Sequence, residues 1–443
     1  MPSLSVVMIV KNEVHCLGDC LNSVRGIADE IVIGDTGSTD GTVELAVSHG
    51  AKIIEVPWRD DFAAARNEAL KNCRGDWLLH MDADEELDQE SAQTIRRLVK
   101  QDGAGLDAFE VMLYNYCDDV RAWRWMPVPP RSPLEHFARG HAGYLPVPLL
   151  RLFRNRRGFV YREAVHENIT DSVRERGGQV GSCEAIIHHH GYAATGTRQR
   201  EKSARYLAIA RKKAEENPAN LKALHDFAEQ ATACDLGAEA EAACRQALAI
   251  DPLDVPTATT LANHLLNRGA FAEARAVLER FEQLPEPPAH LLMALGALEI
   301  REGRLDLARA RLEAASRANP KSAMARLYLA RVYDQLGEIT RAENELKLAA
   351  ECAPTIPEFR DRLRAHVMRR EGERLFQTGF PGEAFEVLVE ALRMDAEDPL
   401  LHNDIGVLMH HLGEVERARE SFERAITLAP ALSEARENLV ALR

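Results

Sequence analysis

A chain of 443 residues, 46% hydrophobic and 28% charged, has the composition of ordinary globular protein and the length of two or three domains. Its formal charge of −14 excludes a general nucleic-acid binder, which needs a basic face. No run approaches the ~20 apolar residues of a membrane span, so any membrane contact would be peripheral. The eight cysteines contain no Cys-x-x-Cys pair and read as reduced thiols of a cytoplasmic protein.

The chain begins with a strand, Leu4 to Val10, whose apolar stretch stops at Lys11 and lacks the basic flank of a signal peptide. A helical pattern follows over Val14 to Val24, then a strand over Glu30 to Asp35. Ser38-Thr39-Asp40 suits the cap of a helix running to about Ser48. Lys52 to Val56 is a short strand, Phe62 to Asn72 an Ala-rich helix, and Asp76 to Met81 an apolar run that reads as a buried strand. This alternation predicts a largely parallel sheet with helices on both faces. Residues 114 to 148 hold six prolines and two tryptophans and read as an irregular excursion. Within it, Trp123 and Trp125 suit stacking on a sugar, or simply pin the loop. Further on, Phe159 to Val165 is extended, and Glu184 to Ile187 is a strand that ends in His188-His189-His190. The α/β domain is expected to span residues 1–195.

Residues 196–443 read as all-helical and repeating. Ala240, Ala274, Ala308 and Ala342 are each 34 residues apart; Ala384 and Ala418 resume the series after an eight-residue insertion near Pro354 to Arg369. Gly269, Gly303 and Gly337 share the period, as do Gly379 and Gly413. Small residues let paired helices approach, Gly turns each hairpin and Pro ends the second helix. In period, residue type and phase this resembles the tetratricopeptide repeat, an array that presents an extended face to other chains. Tyr328 and Asn403 are expected on the surface of that array, and homo-oligomerisation through the repeats stays open.

The most informative short motif is Asp82-Ala83-Asp84, just past the end of the buried run. In an open α/β sheet the carboxyl edge of the strands is where ligands sit. Two carboxylates there are hard ligands suited to Mg²⁺ or Mn²⁺, with substrate phosphates completing the shell. Taken in order, Lys11-Asn12-Glu13, Asp35-Thr36-Gly37-Ser38-Thr39-Asp40-Gly41-Thr42, Asp61 to Asn67, and Met81-Asp82-Ala83-Asp84-Glu85 resemble a family 2 glycosyltransferase of the GT-A fold. The resemblance continues more weakly through Arg151-Leu152-Phe153-Arg154, His166-Glu167 and His188 to Tyr192. It is nearest to the clade of sublancin-type peptide S-glycosyltransferases, whose catalytic domain is also followed by helical repeats. One departure is the single Asp35 followed by Thr36, where many members have two adjacent aspartates.

The resemblance implies a metal-dependent, inverting, hexosyltransferase-type enzyme. It would move a sugar from a nucleotide-sugar donor, a UDP-sugar by preference, to a protein, peptide or glycan acceptor held by the repeats. Glu13, Asp35, Arg66 and Asp82 are the candidates for the nucleotide sugar, Arg66 because its guanidinium offers fixed donors to phosphate oxygens. Asp84 and His189 are the candidate ligands for Mn²⁺ or Mg²⁺. A base must take the acceptor's proton, and Glu167 and His166 are the candidates. The alternatives are a non-catalytic tetratricopeptide scaffold carrying a degenerate transferase domain and a sugar nucleotidyltransferase. The latter wants a Gly-rich phosphate loop after the first strand, where this chain has Lys11-Asn12-Glu13-Val14.

Overall fold

The structure is a computed structural model and describes residues 1–120, 122, 124–164, 167–190, 197–282 and 284–442. Two compact units divide the chain: Met1–Asp118 with Val128–Ala243, and Asp119–Pro127 with Cys244–Arg443.

The first unit is built on one sheet. Strands β1 (Leu4–Val10), β2 (Glu30–Asp35), β3 (Lys52–Glu55) and β4 (Trp77–His80) pair in parallel in the order β3-β2-β1-β4. Helices α1 (Leu17–Val24), α2 (Thr42–Ser48) and α3 (Phe62–Leu70) connect them, as the alternation predicts. Every residue of β4 is buried, which is why it reads as an unbroken apolar run. Then come β5 (Glu85–Leu87), α4 (Gln89–Lys100), β6 (Ala108–Cys117), α5 (Leu134–Ala138), β8 (Gly143–Arg154), α6 (Thr170–Glu175) and β9 (Val180–His189), with β7 (Met126–Pro127) in the segment that belongs to the second unit. The path continues β4-β8-β6-β9-β5. Here the sheet turns mixed: β8 runs antiparallel to β4 and β6, β9 parallel to β6, and β5 antiparallel to β9.

Alternation along β1 splits the core. Val6 and Met8 pack with Leu17, Leu21, Ile95 and Val99 on one face. Val7 packs with Ala63, Ala69 and Val173 on the other.

The expected excursion over 114–148 is shorter than the sequence reading has it. Residues 114–117 finish β6, and 143–148 open β8. Pro146 and Pro148 sit opposite Tyr114 and Met112 inside this ladder. Being two apart, they face the same edge of the strand, so their missing N–H groups weaken one ladder rather than two. Phe159 to Ala164 makes no strand; an isolated bridge joins Arg162 to Asn168 instead.

The helical region carries the 34-residue register into packing. Ala240, Ala274, Ala308, Ala342, Ala384 and Ala418 are all fully buried. Gly269, Gly303, Gly337, Gly379 and Gly413 all have positive φ, between 74° and 90°, where L residues are strained. The eight-residue insertion appears as length: helix Pro357–Gln377 has 21 residues where Ala323–Gln335 and Pro399–His411 have 13. Asn403 departs from expectation. It is 1% exposed and its Oδ1 accepts from Asn438 Nδ2 at 3.0 Å, so it belongs to the packing between helices rather than to the surface. Tyr328 is half-buried against the Leu329–Val332 cluster.

Candidate active site

The carboxyl edge of the parallel strands carries the candidate residues. β4 ends at His80, and Met81 continues the ladder by donating its N–H to Val7 at 3.1 Å. The chain then turns through Asp82-Ala83-Asp84, closed by Glu85 N–H to the Asp82 carbonyl at 3.1 Å. Cys20 of α1 holds the same carbonyl through its thiol at 3.3 Å.

Helix α3 supplies Arg66. Asp61 caps its first turn, accepting from Ala64 N–H at 2.8 Å. Ala63, Ala65 and Ala69 lie buried, and on that small-residue face Arg66 is only 8% exposed. One turn of side chain then does the work of a strand: Asn67 accepts from Tyr161 N–H at 2.8 Å and donates to the Tyr161 carbonyl at 2.9 Å. Together with Phe62 N–H on the Ala164 carbonyl at 3.0 Å, this lays the segment leading to Glu167 along α3.

These elements bring Arg66, Asp82 and Glu167 into direct contact. Arg66 Nη1 lies 2.9 Å from Asp82 Oδ1, and its Nε donates to Glu167. Arg151, from β8, donates to Glu85 Oε1 at 2.6 Å and reaches Asp82 Oδ2 at 3.4 Å. Between the two guanidinium groups sits His80. Arg66 donates to its Nε2, while Tyr161 Oη lies 2.7 Å from its Nδ1 and Arg151 Nη1 2.9 Å. Burial, then Arg66 and Arg151, push the His80 pKa well below its ordinary value, so the ring is neutral. Burial alone would raise Asp82, but Arg66 and Arg151 outweigh it and hold the carboxyl well below the usual range. For Glu85 burial wins over Arg151, and its pKa rises to about 7.

The second pair is Asp84 and His189. The register of β9 sets His189 opposite Glu85 on β5 and Asn115 on β6. His189 Nδ1 lies 2.6 Å from Asn115 Oδ1, which turns Nε2 toward Asp84 Oδ2, 3.4 Å away. Burial lowers the His189 pKa, Asp84 raises it, and the net direction is up. A carboxylate and an imidazole nitrogen facing one another, with the far ring nitrogen fixed by an amide, is a donor set that fits a divalent cation once the ring nitrogen gives up its proton. His188 and His190 point to the other face, as alternation predicts. Both stack on Tyr116, and they pair with Asp88 and Glu86 respectively.

Glu13 and Asp35 stand on neighbouring loops after β1 and β2. Asn12 Oδ1 accepts from Thr39 N–H at 2.7 Å and Glu13 N–H donates to Thr42 at 2.8 Å, lacing the loops together. Asp35 accepts from Gly37 and Ser38 N–H within its own turn, where Gly37 has φ of 104°. The Glu13 carboxylate takes the Cys16 thiol at 3.4 Å. His166 and Trp123 lie outside the described residues.

Comparison with known proteins now bears on this geometry. Residues 5–167 match the model of glycosyl transferase family 2. The chain carries a family 2 glycosyltransferase domain. Residues 299–366 and 369–433 match tetratricopeptide repeat models. A TPR repeat-containing protein of Synechococcus elongatus is 29% identical over 96% of this chain and 92% of its own length. The lipopolysaccharide core biosynthesis glycosyltransferase LpsC of Rhizobium meliloti is 32% identical over 40% of this chain and 61% of its own length. The SPbeta prophage-derived glycosyltransferase SunS of Bacillus subtilis is 31% identical over 22% of this chain and 24% of its own length. Glycosyl transfer from a nucleotide sugar is the chemistry of this domain, and the family generally uses a divalent metal ion. The repeats mark a protein-interaction module.

The sequence reading of the transferase domain missed His80, Glu85, Arg151 and Tyr161. A signal existed for the first three. His80 interrupts an apolar strand two residues before Asp82, Glu85 directly follows Asp84, and Arg151 is a charge inside the apolar run Leu149 to Phe153. Tyr161 had none.

Proposed function

We propose that the transferase domain, residues 1–195, moves a sugar from a UDP-sugar to a protein, peptide or glycan acceptor presented by residues 196–443. The observation that carries the reading is the facing pair Asp84–His189 beside the Arg66–Asp82–Arg151–Glu85 network. In this reading Asp84 and His189 hold Mn²⁺ or Mg²⁺, which supplies charge stabilisation for the departing diphosphate. Arg66 orients Asp82 toward the ribose, and Glu13 and Asp35 receive the base and sugar hydroxyls of the donor. Glu167 spends one oxygen on Arg66 and takes the acceptor's proton with the other, as the acceptor atom bonds to the anomeric carbon and the bond to diphosphate breaks with inversion. His166 is the second candidate for that proton.

The printed name of LpsC supports a glycan acceptor and the repeats support a polypeptide; both are polymers longer than one sugar. The eight cysteines, none in a Cys-x-x-Cys pair, read as reduced thiols, which supports the cytoplasmic placement. Among the described residues no helix is long and apolar enough to cross a membrane. The repeat faces also suit a second copy of the chain, which light scattering reads directly.

The test is incubation of the full chain with labelled UDP- and GDP-sugars, with Mn²⁺ or with EDTA, following donor hydrolysis. Metal-dependent hydrolysis of one donor is the expected result. No hydrolysis of any donor, with repeats that still capture partners, would favour the scaffold reading.

A further inference from the structure

At the carboxyl end of β1 a second set of metal-type ligands converges, separate from Asp84 and His189. Asn12 has φ of 60°, a left-handed turn that brings the next residues back on themselves before α1 begins. Glu13, His15 and Cys16 each offer one ligand atom there, all within 4.8 Å of one another. Cys16 Sγ is 3.4 Å from Glu13 Oε2, and His15 Nδ1 is 3.9 Å from that oxygen. A tetrahedral ion with Zn–S of about 2.3 Å and Zn–N or Zn–O of about 2.0 Å has ligand–ligand edges of roughly 3.3–3.6 Å. The two edges at Glu13 are therefore close to that value, and the edge between His15 and Cys16, within 4.8 Å, closes by turning the exposed His15 ring. A thiolate, an imidazole and one carboxylate form a borderline-soft set, which suits zinc-class ions and not Mg²⁺. The ligands also range from buried to open: Cys16 is 8% exposed, whereas the His15 side chain is half exposed, leaving the ion a route in and a fourth position for water.

We infer that Glu13, His15 and Cys16 form a second cation site, one that takes Zn²⁺ or Co²⁺. Without metal the Cys16 thiol is kept protonated, since burial and then Glu13 and Asp84 push its pKa up. Its S–H proton sits on the line to Glu13. Binding replaces that proton: the S–H bond breaks, an S–metal bond forms, and one proton passes to solvent. The helix N-terminus that follows at Leu17 favours the resulting thiolate. Resting on the donor role proposed above, occupancy withdraws Glu13 from the donor loop, so Zn²⁺ inhibits transfer while Mn²⁺ supports it.

Cobalt titration of the full chain tests the site, because a thiolate–Co²⁺ bond gives a charge-transfer band that carboxylate and imidazole ligands do not. The expected result is a saturable band that is absent in Cys16→Ser. In His15→Ala it should need at least about tenfold more cobalt, since even outer-shell partners of a metal ligand cost that much. No band, or a band that survives Cys16→Ser, overturns the site. In Asp84→Asn the band should persist; its loss would put the cobalt on Asp84 and overturn the site equally. Zinc inhibition relieved by Cys16→Ser supports the link to Glu13. A persisting band with transfer indifferent to zinc overturns that link and leaves the metal assignment of Asp84 untouched. Circular dichroism of each variant separates loss of a ligand from loss of the fold.

Discussion

The sheet and the repeats both use buried and paired charge, in opposite ways. In the sheet, Arg66, His80, Asp82, Arg151 and Glu167 come from four places in the chain and meet at one point, the Arg66–Glu167 pair spanning 101 residues. In the repeats, arginine pairs with glutamate one unit further on: Arg211–Glu239, Arg245–Glu273, Arg275–Glu302 and Arg309–Glu338, separations of 28, 28, 27 and 29 residues. Each such surface pair is worth about 0–1 kcal/mol. The converging network is costly to disturb and specifies a site, whereas the repeated pairs are individually dispensable and specify a spacing.

The comparison breaks most sharply at Asp84. Asp84→Asn should lower Mn²⁺-dependent donor turnover by at least about 10³-fold, since a Lewis acid at the leaving group supplies several kcal/mol. Circular dichroism and melting should stay as in the parent chain. Turnover near the parent's would remove the metal role. Next, Glu167→Gln should cut transfer by ~10²–10⁴-fold, the usual contribution of a general base, with donor affinity by calorimetry nearly unchanged. Lost donor affinity with saturating turnover preserved would instead put Glu167 in the donor pocket.

Arg151→Met tests the network as structure. It leaves Glu85 buried without its guanidinium partner, while Asp82 keeps Arg66, and removing one partner of a buried pair costs about 3–5 kcal/mol. Urea denaturation should show that loss, whereas Arg309→Met in the repeats should shift the same curve by less than about 1 kcal/mol. Equal effects would erase the contrast drawn above.

How much of this was legible follows the same division. The repeats were legible because their rule is local: a residue's partner lies one helix or one unit away, and the 34-residue period prints that geometry into the sequence. Asp82 and Asp84 stood out as candidates by their place past a strand end, and Arg66 by the fixed donors of its guanidinium on an Ala-rich helix. Tyr161 was not legible, and the charge of Arg151 stood out without showing what it meets, because both depend on the register of β8 against β4 and the lacing of Asn67 to Tyr161, neither of which leaves a periodic trace. The same blindness hid β6 and β8 in a proline-rich stretch, where the prolines happen to face one edge. Asn403 failed for the opposite reason, since a polar residue in a helix reads as surface until its Asn438 partner is seen.

Two smaller effects sharpen the repeat side. A Cβ on Gly406 would lie 2.5 Å from the ring of the buried Phe422. Gly406→Ala should therefore cost about 1–3 kcal/mol of overpacking, against a helix-propensity gain of about 1 kcal/mol, and thermal melting should register a net loss. Glu299 carries a pH effect. Burial, opposed by Arg311 and Arg275, raises its pKa to about 7. The folded state then holds the proton more tightly than the unfolded one. This contribution is fully present below the ordinary glutamate pKa and is lost as pH rises through about 7. Stability should fall across that window by roughly 1–3 kcal/mol, and Glu299→Gln should flatten the fall.

The long helix Pro357–Gln377 has a consequence for what can be built from this chain. Its additional residues precede Ala365, which is 1% exposed, as is Ala323 at the matching position 42 residues earlier. The phase of the array therefore resumes intact after the extension, and the two repeat matches meet there, one ending at 366 and the next starting at 369. Such a joint is a seam. Whole 34-residue modules could be spliced in or taken out at it, altering the reach of the array stepwise like marks on a ruler, with the chemistry of the transferase domain left alone.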